Sequence, residues 1–249
     1  DPEHSIPAVV TGAAAWLRSA DCPVTDYITE ALAFDNPDRP DTFLCETALN
    51  TFASVWMAEL SGLQADQVSV LEVACGSGNE YAAIRNCGLA AHISYSGFDI
   101  SWKNIANARE RHPGVNFFEA SILDSGLPDT SGDYVFVHDL IGHLSPEGME
   151  LAIREIMRIA RREAWIHCYN TADIERHEIR PVELYHRNRL SIRQLTDSLT
   201  KAGAASVEAT PIAGLLKHKF GFVQDYSARG ACFEAQKRWS AVLQSHGGL

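Results

Sequence analysis

The sequence predicts an α/β fold: a doubly wound, mostly parallel sheet of seven strands with a helical cap on its N-terminal side. Three observations predict it. Strand-like and helix-like segments alternate from Val68 onward, as in a parallel sheet with helices on both faces. The first of these strands breaks into a glycine turn, Gly76-Ser77-Gly78, that runs directly into helix-compatible sequence. Residues 1–62, by contrast, carry helical patterning and no strand signal, which sets the expected division at 1–62 for a cap and 63–249 for the main domain.

Within the cap, residues 8–20, 27–34 and 42–60 read as helices, separated by Asp21-Cys22-Pro23 and by the breaker-rich stretch 35–40. Its aromatic residues, Trp16, Tyr27, Phe34, Phe43, Phe52 and Trp56, suit either packing against the main domain or lining a lid over a pocket.

The main domain opens with an aliphatic strand from Val68, interrupted only by Ser69 and Glu72, and a helix over 78–86. Residues 93–99 form a second strand ending in Asp99, and Ser101 caps a helix that stops near Arg111 before Pro113-Gly114. A third short strand falls at 115–120. The fourth, 133–138, is almost continuously apolar, as a strand buried on both faces should be.

Ser145 and Pro146 then start a helix, with Leu144 and Met149 as a hydrophobic staple, and Met149, Ile153, Ile156 and Ala160 mark its core face. A fifth strand covers 164–169. After an insertion-like segment at about 170–190, Ser191 and Gln194 form an expected capping box, Leu190 and Leu195 a second staple, and Gly203 a C-terminal stop. A sixth strand follows at 206–212. Residues 220–223 are a candidate last strand and 232–243 a candidate final helix.

Composition narrows the function. The chain is 46% hydrophobic and 21% charged, ordinary for a globular protein, and no segment approaches the apolar run of about 20 residues that spans a bilayer. A net charge of −11 argues against a broad phosphate-backbone contact and so against nucleic acid, leaving a small-molecule substrate as the better fit. The basic clusters at 154–162 and 176–193 contain interspersed acids and read as solvated helix faces. The six cysteines are scattered with no C-x-x-C pair, and Asp1 onward shows no basic-then-apolar leader, so a cytoplasmic protein with reduced thiols is expected. Nothing in the sequence sets the oligomeric state.

Three kinds of ligand are served by a strand, glycine turn and helix. A phosphate loop requires G-x-x-x-x-G-K-[ST], and neither that spacing nor its lysine is present. A dinucleotide turn requires a third glycine where this chain has Tyr81, which leaves a nicotinamide-dependent oxidoreductase as a minor alternative. The segment Glu72-Val73-Ala74-Cys75-Gly76-Ser77-Gly78 resembles the first motif of class I S-adenosylmethionine-dependent methyltransferases, an acid and small residues followed by G-x-G. Asp99, about 20 residues beyond the turn, matches the family's ribose-binding acid, although an acid there also fits a dinucleotide fold. The run from Phe118 to Asp124, then Leu127-Pro128 and the strand at 133–137, is similar to the family's third strand, adenine loop and fourth strand. The resemblance covers roughly residues 68–212. It departs from the commonest pattern at Ser121, where an acid usually meets the adenine amine, a role that Asp124 or the Ser121 hydroxyl would then take.

The resemblance implies S-adenosyl-L-methionine as cofactor, with Glu72, Ala74, Gly76 and Gly78 around its methionine part, Asp99 on the ribose, and Ile100, Ser121 and Ile122 around the adenine. It places the backbone carbonyl of His138 on the methionine ammonium, beside the exit of the methyl group. For Ile100 and Ile122, plain packing is an equally good reading. His138 and His143 are the candidate catalytic bases, since an imidazole near neutral pKa can take the proton of a hydroxyl or protonated amine. His143 can instead pack beneath the helix that starts at Pro146. His167 and Tyr169 are further candidates for substrate contact, and Tyr185 and His186 can fold over the pocket. The grouping His138, Asp139 and His143 lacks metal-site geometry, so no metal is expected. The expected activity is methyl transfer to a small-molecule oxygen, nitrogen or carbon acceptor; a non-catalytic cofactor-binding module on the same fold is the alternative.

Overall fold

A computed structural model describes residues 68–86, 89–168, 170–182, 185–211 and 231–237 of the 249-residue chain. The expected cap helices, the candidate strand at 220–223 and Tyr169 lie outside the described residues.

The elements follow in order: β1 (Val68–Val73), α1 (Asn79–Asn86), β2 (Ile93–Asp99), α2 (Trp102–Arg111), β3 (Asn116–Glu119), β4 (Gly132–His138), α3 (Pro146–Ile159), β5 (Ala160–Cys168), the two-residue β6 (Thr171–Ala172) and β7 (Leu190–Ser191), α4 (Ile192–Lys201), β8 (Ala204–Pro211) and β9 (Ala231–Lys237). Seven strands form one sheet in the order β3-β2-β1-β4-β5-β9-β8, while β6 and β7 pair separately. The first five are parallel, with Val70 opposite Tyr95 on one side of β1 and Tyr134 on the other. β9 is antiparallel to both its neighbours, so the mostly parallel seven-stranded sheet expected from sequence is present.

The strand order reverses between β1 and β4. In open α/β sheets ligands bind beyond the carboxyl ends of the strands at such a switch point. Here the ends that flank it are the glycine turn after Val73 and His138.

Alternation along the strands builds two different faces. Val73, Val135, Val137 and Ile166 pack with Ile153, Ile156 and Ile159 of α3 and Leu195 and Leu199 of α4 into one continuous buried core. On the opposite face Tyr95 and Phe117 meet Tyr81 of α1, and Tyr134 stacks on Trp165 at 4.5 Å between ring centroids. This second face also carries Glu72, His138 and His167, whose polar groups lie near the switch point, while on the α3 face the buried Asp133 sits at the amino end of β4, bonded to Ser69.

Helix starts follow local chemistry. Ser101 Oγ accepts from Asn104 N, and Ser145 Oγ from Gly148 N at 3.0 Å with Pro146 as first helical residue. Gly203, at φ +105°, ends α4 as expected. At Ser191 the capping box forms only in half. Ser191 Oγ accepts from Gln194 N, but the reciprocal arm is diverted: Ser191 N donates to His177 Nδ1, and Gln194 Oε1 accepts from His177 N. The preceding loop thus competes successfully for both partners.

Two elements depart most from the sequence reading. β5 begins at Ala160 rather than Ala164, because Ala160 pairs with Gly132 and Arg161 bonds to Asp133 at 2.9 Å. The expected helix at 232–243 is corrected: Ala231–Lys237 is β9, with 238–249 outside the described residues. Its Glu, Ala, Gln and Lys favour helix locally, but hydrogen bonding to β5 and β8 on both edges and burial of Phe233 and Ala235 outweigh a propensity of a few tenths of a kcal/mol per residue.

Candidate active site

The site is built from the carboxyl ends of β1, β2 and β4. After Val73 the backbone turns through left-handed dihedrals at Ala74 (φ +57°), Gly76 (φ +53°) and Gly78 (φ +77°). Asp139, the residue after β4, is also left-handed at φ +48°. A non-glycine residue held there costs about 1–2 kcal/mol, and such strain gathers at functional sites. Both strand ends that flank the switch point therefore carry it.

The two glycines serve different purposes. A Cβ on Gly76 would meet no atom within 4 Å, so this residue borders open space that a ligand can approach. A Cβ on Gly78 would come within 2.8 Å of His112 Cδ2 and 3.1 Å of Phe117 Cζ, so Gly78 is required by packing. Tyr81, in place of a third glycine, is occupied by packing against Tyr95, His112 and Phe117.

Three carboxyl groups converge around the turn. Asp99, only 8% exposed, uses both oxygens: Oδ2 accepts from Gly76 N at 3.1 Å, and Oδ1 from Ser101 N at 2.8 Å and Asn104 Nδ2 at 3.4 Å. Glu72, 1% exposed, accepts from the Tyr95 hydroxyl. Burial first, then the charge of Glu80, holds the Glu72 carboxyl well above the usual carboxylate range; Asp99 adds to the effect and the Tyr95 bond opposes it. Glu80, in the first turn of α1, accepts from His138 Nδ1 at 2.9 Å. Burial alone would depress the His138 pKa, but the Glu80 charge and hydrogen bond, with the Asp139 charge, raise it above the ordinary imidazole value. The ring of His167 lies 4.8 Å from that of His138.

His138 thus stands at the rim, tied to α1. His167 does not reach the rim as expected: it is fully buried beneath His138, and burial drives its pKa well down. His143 closes a short 3-10 turn in the next loop, with Nε2 3.6 Å from Asp139 Oδ2 and Nδ1 3.1 Å from the His186 carbonyl, contacts that raise its pKa. The segment 170–190 is fastened over this loop. His186 N donates to His143 O, Asn188 N to Gly142 O and Asn188 Nδ2 to Leu144 O, while Tyr185 meets the His143 ring edge-on.

The expected adenine residues divide. Ile100 is 70% exposed at the end of β2, Ser121 Oγ accepts from Leu123 N, and Ile122 is buried in the α3-side core, which is the packing reading of that residue. The sequence reading assigned no role to Glu80, Arg111, His112 or Asn188. An acid in a first helical turn and basic residues in a last turn look like ordinary complements of the helix dipole, and only the tertiary contacts reveal more. Among the described residues no group of three His, Cys, Asp or Glu is placed to hold a metal, and no helix is long and apolar enough to cross a membrane.

These features fit a cationic ligand. Carboxyl groups crowded around open backbone favour a sulfonium and an ammonium and disfavour the pyrophosphate of a dinucleotide. Residues 70–163 match the family described as a methyltransferase domain. A probable S-adenosylmethionine-dependent methyltransferase of Mycobacterium tuberculosis is 28% identical over 140 residues, covering 55% of this chain and 49% of that protein. The chain spans about half the length of the curated relatives it matches. Among solved structures, the 1,6-didemethyltoxoflavin-N1-methyltransferase of Burkholderia thailandensis, with bound 1,6-didemethyltoxoflavin and S-adenosylhomocysteine, aligns with a TM-score of 0.57 at 14% identity over 88% of this chain and 91% of its own. DesVI of Streptomyces venezuelae aligns with a TM-score of 0.56 at 16% identity, over 79% and 95%. At these identities the structural likeness is one of fold.

Proposed function

We propose that this chain, which carries a class I S-adenosylmethionine-dependent methyltransferase domain, transfers the cofactor's methyl group to an oxygen, nitrogen or carbon atom of a small molecule. The observation that carries the reading is the convergence of Glu72, Glu80 and Asp99 on a glycine turn whose Gly76 faces open space. The cofactor supplies an already activated methyl on a positively charged sulfur, so the protein's task is to bind and align.

In this reading Glu72, Ala74, Gly76 and Gly78 surround the methionine part. Asp99 accepts from the ribose hydroxyls, two carboxylate oxygens matching a vicinal diol. Ile100, Ser121 and Ile122 form the adenine side, with Ile122 acting from the core beneath it. His138 offers its carbonyl to the ammonium, and its ring, oriented by Glu80, faces the acceptor side as a candidate base. His143 has both ring nitrogens directed at acceptors within the protein, Asp139 Oδ2 and His186 O, which favours a role in holding the loop closed over one in taking the acceptor's proton. This reading assigns the choice of acceptor to the cap expected at residues 1–62 and to the segment at about 170–190 that is fastened over the His143 loop.

A small acceptor is supported by the net charge of −11 and by the bound small molecule in the Burkholderia structure. Cys75 and Cys168, both free thiols, accord with a reducing compartment such as the cytoplasm. Calorimetric titration with S-adenosylhomocysteine tests the cofactor, and labelled S-adenosylmethionine with a panel of metabolites tests transfer. Binding and a labelled product are expected. Binding of a nicotinamide dinucleotide in its place would overturn the proposal, and cofactor binding with no labelled product from any acceptor would reduce the chain to a binding module.

A further inference from the structure

The turn that forms the site is held from behind by one end of α2. Arg111, 7% exposed, donates from Nη1 to the Ser77 carbonyl at 2.6 Å and to Asn79 Oδ1 at 2.7 Å. The next residue, His112, is 2% exposed and has Nε2 3.0 Å from the Gly78 carbonyl and Nδ1 3.3 Å from Arg85 Nη1. Three consecutive residues, Ser77, Gly78 and Asn79, are thus fixed by two neighbouring side chains, and the absence of a Cβ on Gly78 is what lets the imidazole approach.

The partners determine the state of the ring. A carbonyl oxygen can only accept and a guanidinium can only donate, so Nε2 carries the hydrogen and Nδ1 the lone pair. This is the neutral Nε2–H tautomer. Burial, followed by the charges of Arg111 and Arg85, lowers the His112 pKa to about 4, consistent with a ring that stays neutral. Because the peptide is planar and trans, turning the Gly78 carbonyl toward His112 turns the Asn79 N–H the opposite way, and that group is the first amide of α1.

We infer that Arg111 and His112 are positioning residues that hold the Ser77 to Asn79 backbone in its cofactor-receiving shape, His112 doing so as the neutral Nε2–H tautomer hydrogen-bonded to the Gly78 carbonyl. The inference rests on the turn being the cofactor site.

The test compares His112→Gln with His112→Leu. Glutamine places an amide nitrogen where Nε2 stands and keeps the donor, while leucine fills the space without one. Titrated calorimetrically with S-adenosylhomocysteine, the leucine variant is expected to bind about tenfold more weakly, as for loss of one buried hydrogen bond, and the glutamine variant to recover most of the loss. Amide exchange at Gly78, which donates to the Cys75 carbonyl, and at Ala82, which donates to the Gly78 carbonyl, should quicken in the leucine variant alone. In the wild-type protein, long-range proton–nitrogen correlation spectra should show His112 as the Nε2–H tautomer from pH 5.5 to 8. An Nδ1–H tautomer, protonation within that range, or equal binding and exchange in the two variants overturns the inference. If the wild-type protein binds no S-adenosylhomocysteine, the cofactor reading falls, and the tautomer and exchange measurements still decide whether the clamp exists.

Discussion

Replacing Asp99 by asparagine changes no volume and removes one acceptor. In the native site one backbone N–H points at each carboxylate oxygen, Gly76 N at Oδ2 and Ser101 N at Oδ1, at 3.1 and 2.8 Å. An amide has a single acceptor oxygen, so in either orientation its NH2 group faces an N–H donor. One charge-assisted bond, about 1.5–3 kcal/mol, is lost, and the other falls to the value of a neutral bond, about 0.5–1.5 kcal/mol. Asp99 is 8% exposed, so water does not relieve the mismatch. A net cost of about 2–4 kcal/mol follows, and at about 2–4 °C per kcal/mol for a chain of this size the melting temperature should fall by roughly 5–15 °C. If the same carboxylate also accepts from the ribose, affinity for S-adenosylhomocysteine drops by a further charged bond, about 10- to 100-fold. Calorimetric melting and titration measure the two effects separately. A lower melting temperature with unchanged affinity would show that Asp99 only braces the turn, and no change in either would refute the reasoning altogether.

Two further outcomes follow from the site. Gly78→Ala combines a left-handed φ with a 2.8 Å approach to His112 and should destabilise by several kcal/mol, whereas Gly76→Ala pays only the backbone strain of about 1–2 kcal/mol and should instead weaken cofactor binding; equal melting temperatures for the two variants would contradict this. Glu72→Gln keeps an acceptor for the Tyr95 hydroxyl and cannot ionise. Because the folded Glu72 pKa is raised, its stabilising contribution is present below the ordinary glutamate value and is lost as pH rises through the folded pKa. The melting temperature of the variant relative to wild type should therefore increase from pH 4 to pH 8, and a pH-independent difference would show that Glu72 is not strained by its burial.

Much of this was legible in the chain because it depends on local chemistry. The Ser145-Pro146 start of α3, the Gly203 stop of α4 and the apolar β4 follow from capping, left-handed dihedrals and two-sided burial, and each appears where its residues are. Tyr81, which stands where a dinucleotide turn needs a third glycine, packs in a cluster with Tyr95, His112 and Phe117. The strand at 231–237 was not legible, since its composition favours helix and only the slot between β5 and β8 reverses the preference. The diverted capping box at Ser191 failed for a related reason, a competing loop 14 residues away in sequence.

The sequence by itself therefore determined the alternating architecture, the glycine turn and the acid at the end of β2, all set by short-range patterns of burial and backbone freedom. Tertiary structure decided which side chains act together there. Glu80 reaches His138 across 58 positions and Arg111 reaches Ser77 across 34, and His167 is buried beneath His138 rather than open to the rim. Such pairings depend on how helices α1 and α2 lie against the strand ends, and hydrogen bonds and charges at close range are fixed by that packing, which no periodicity in the chain encodes.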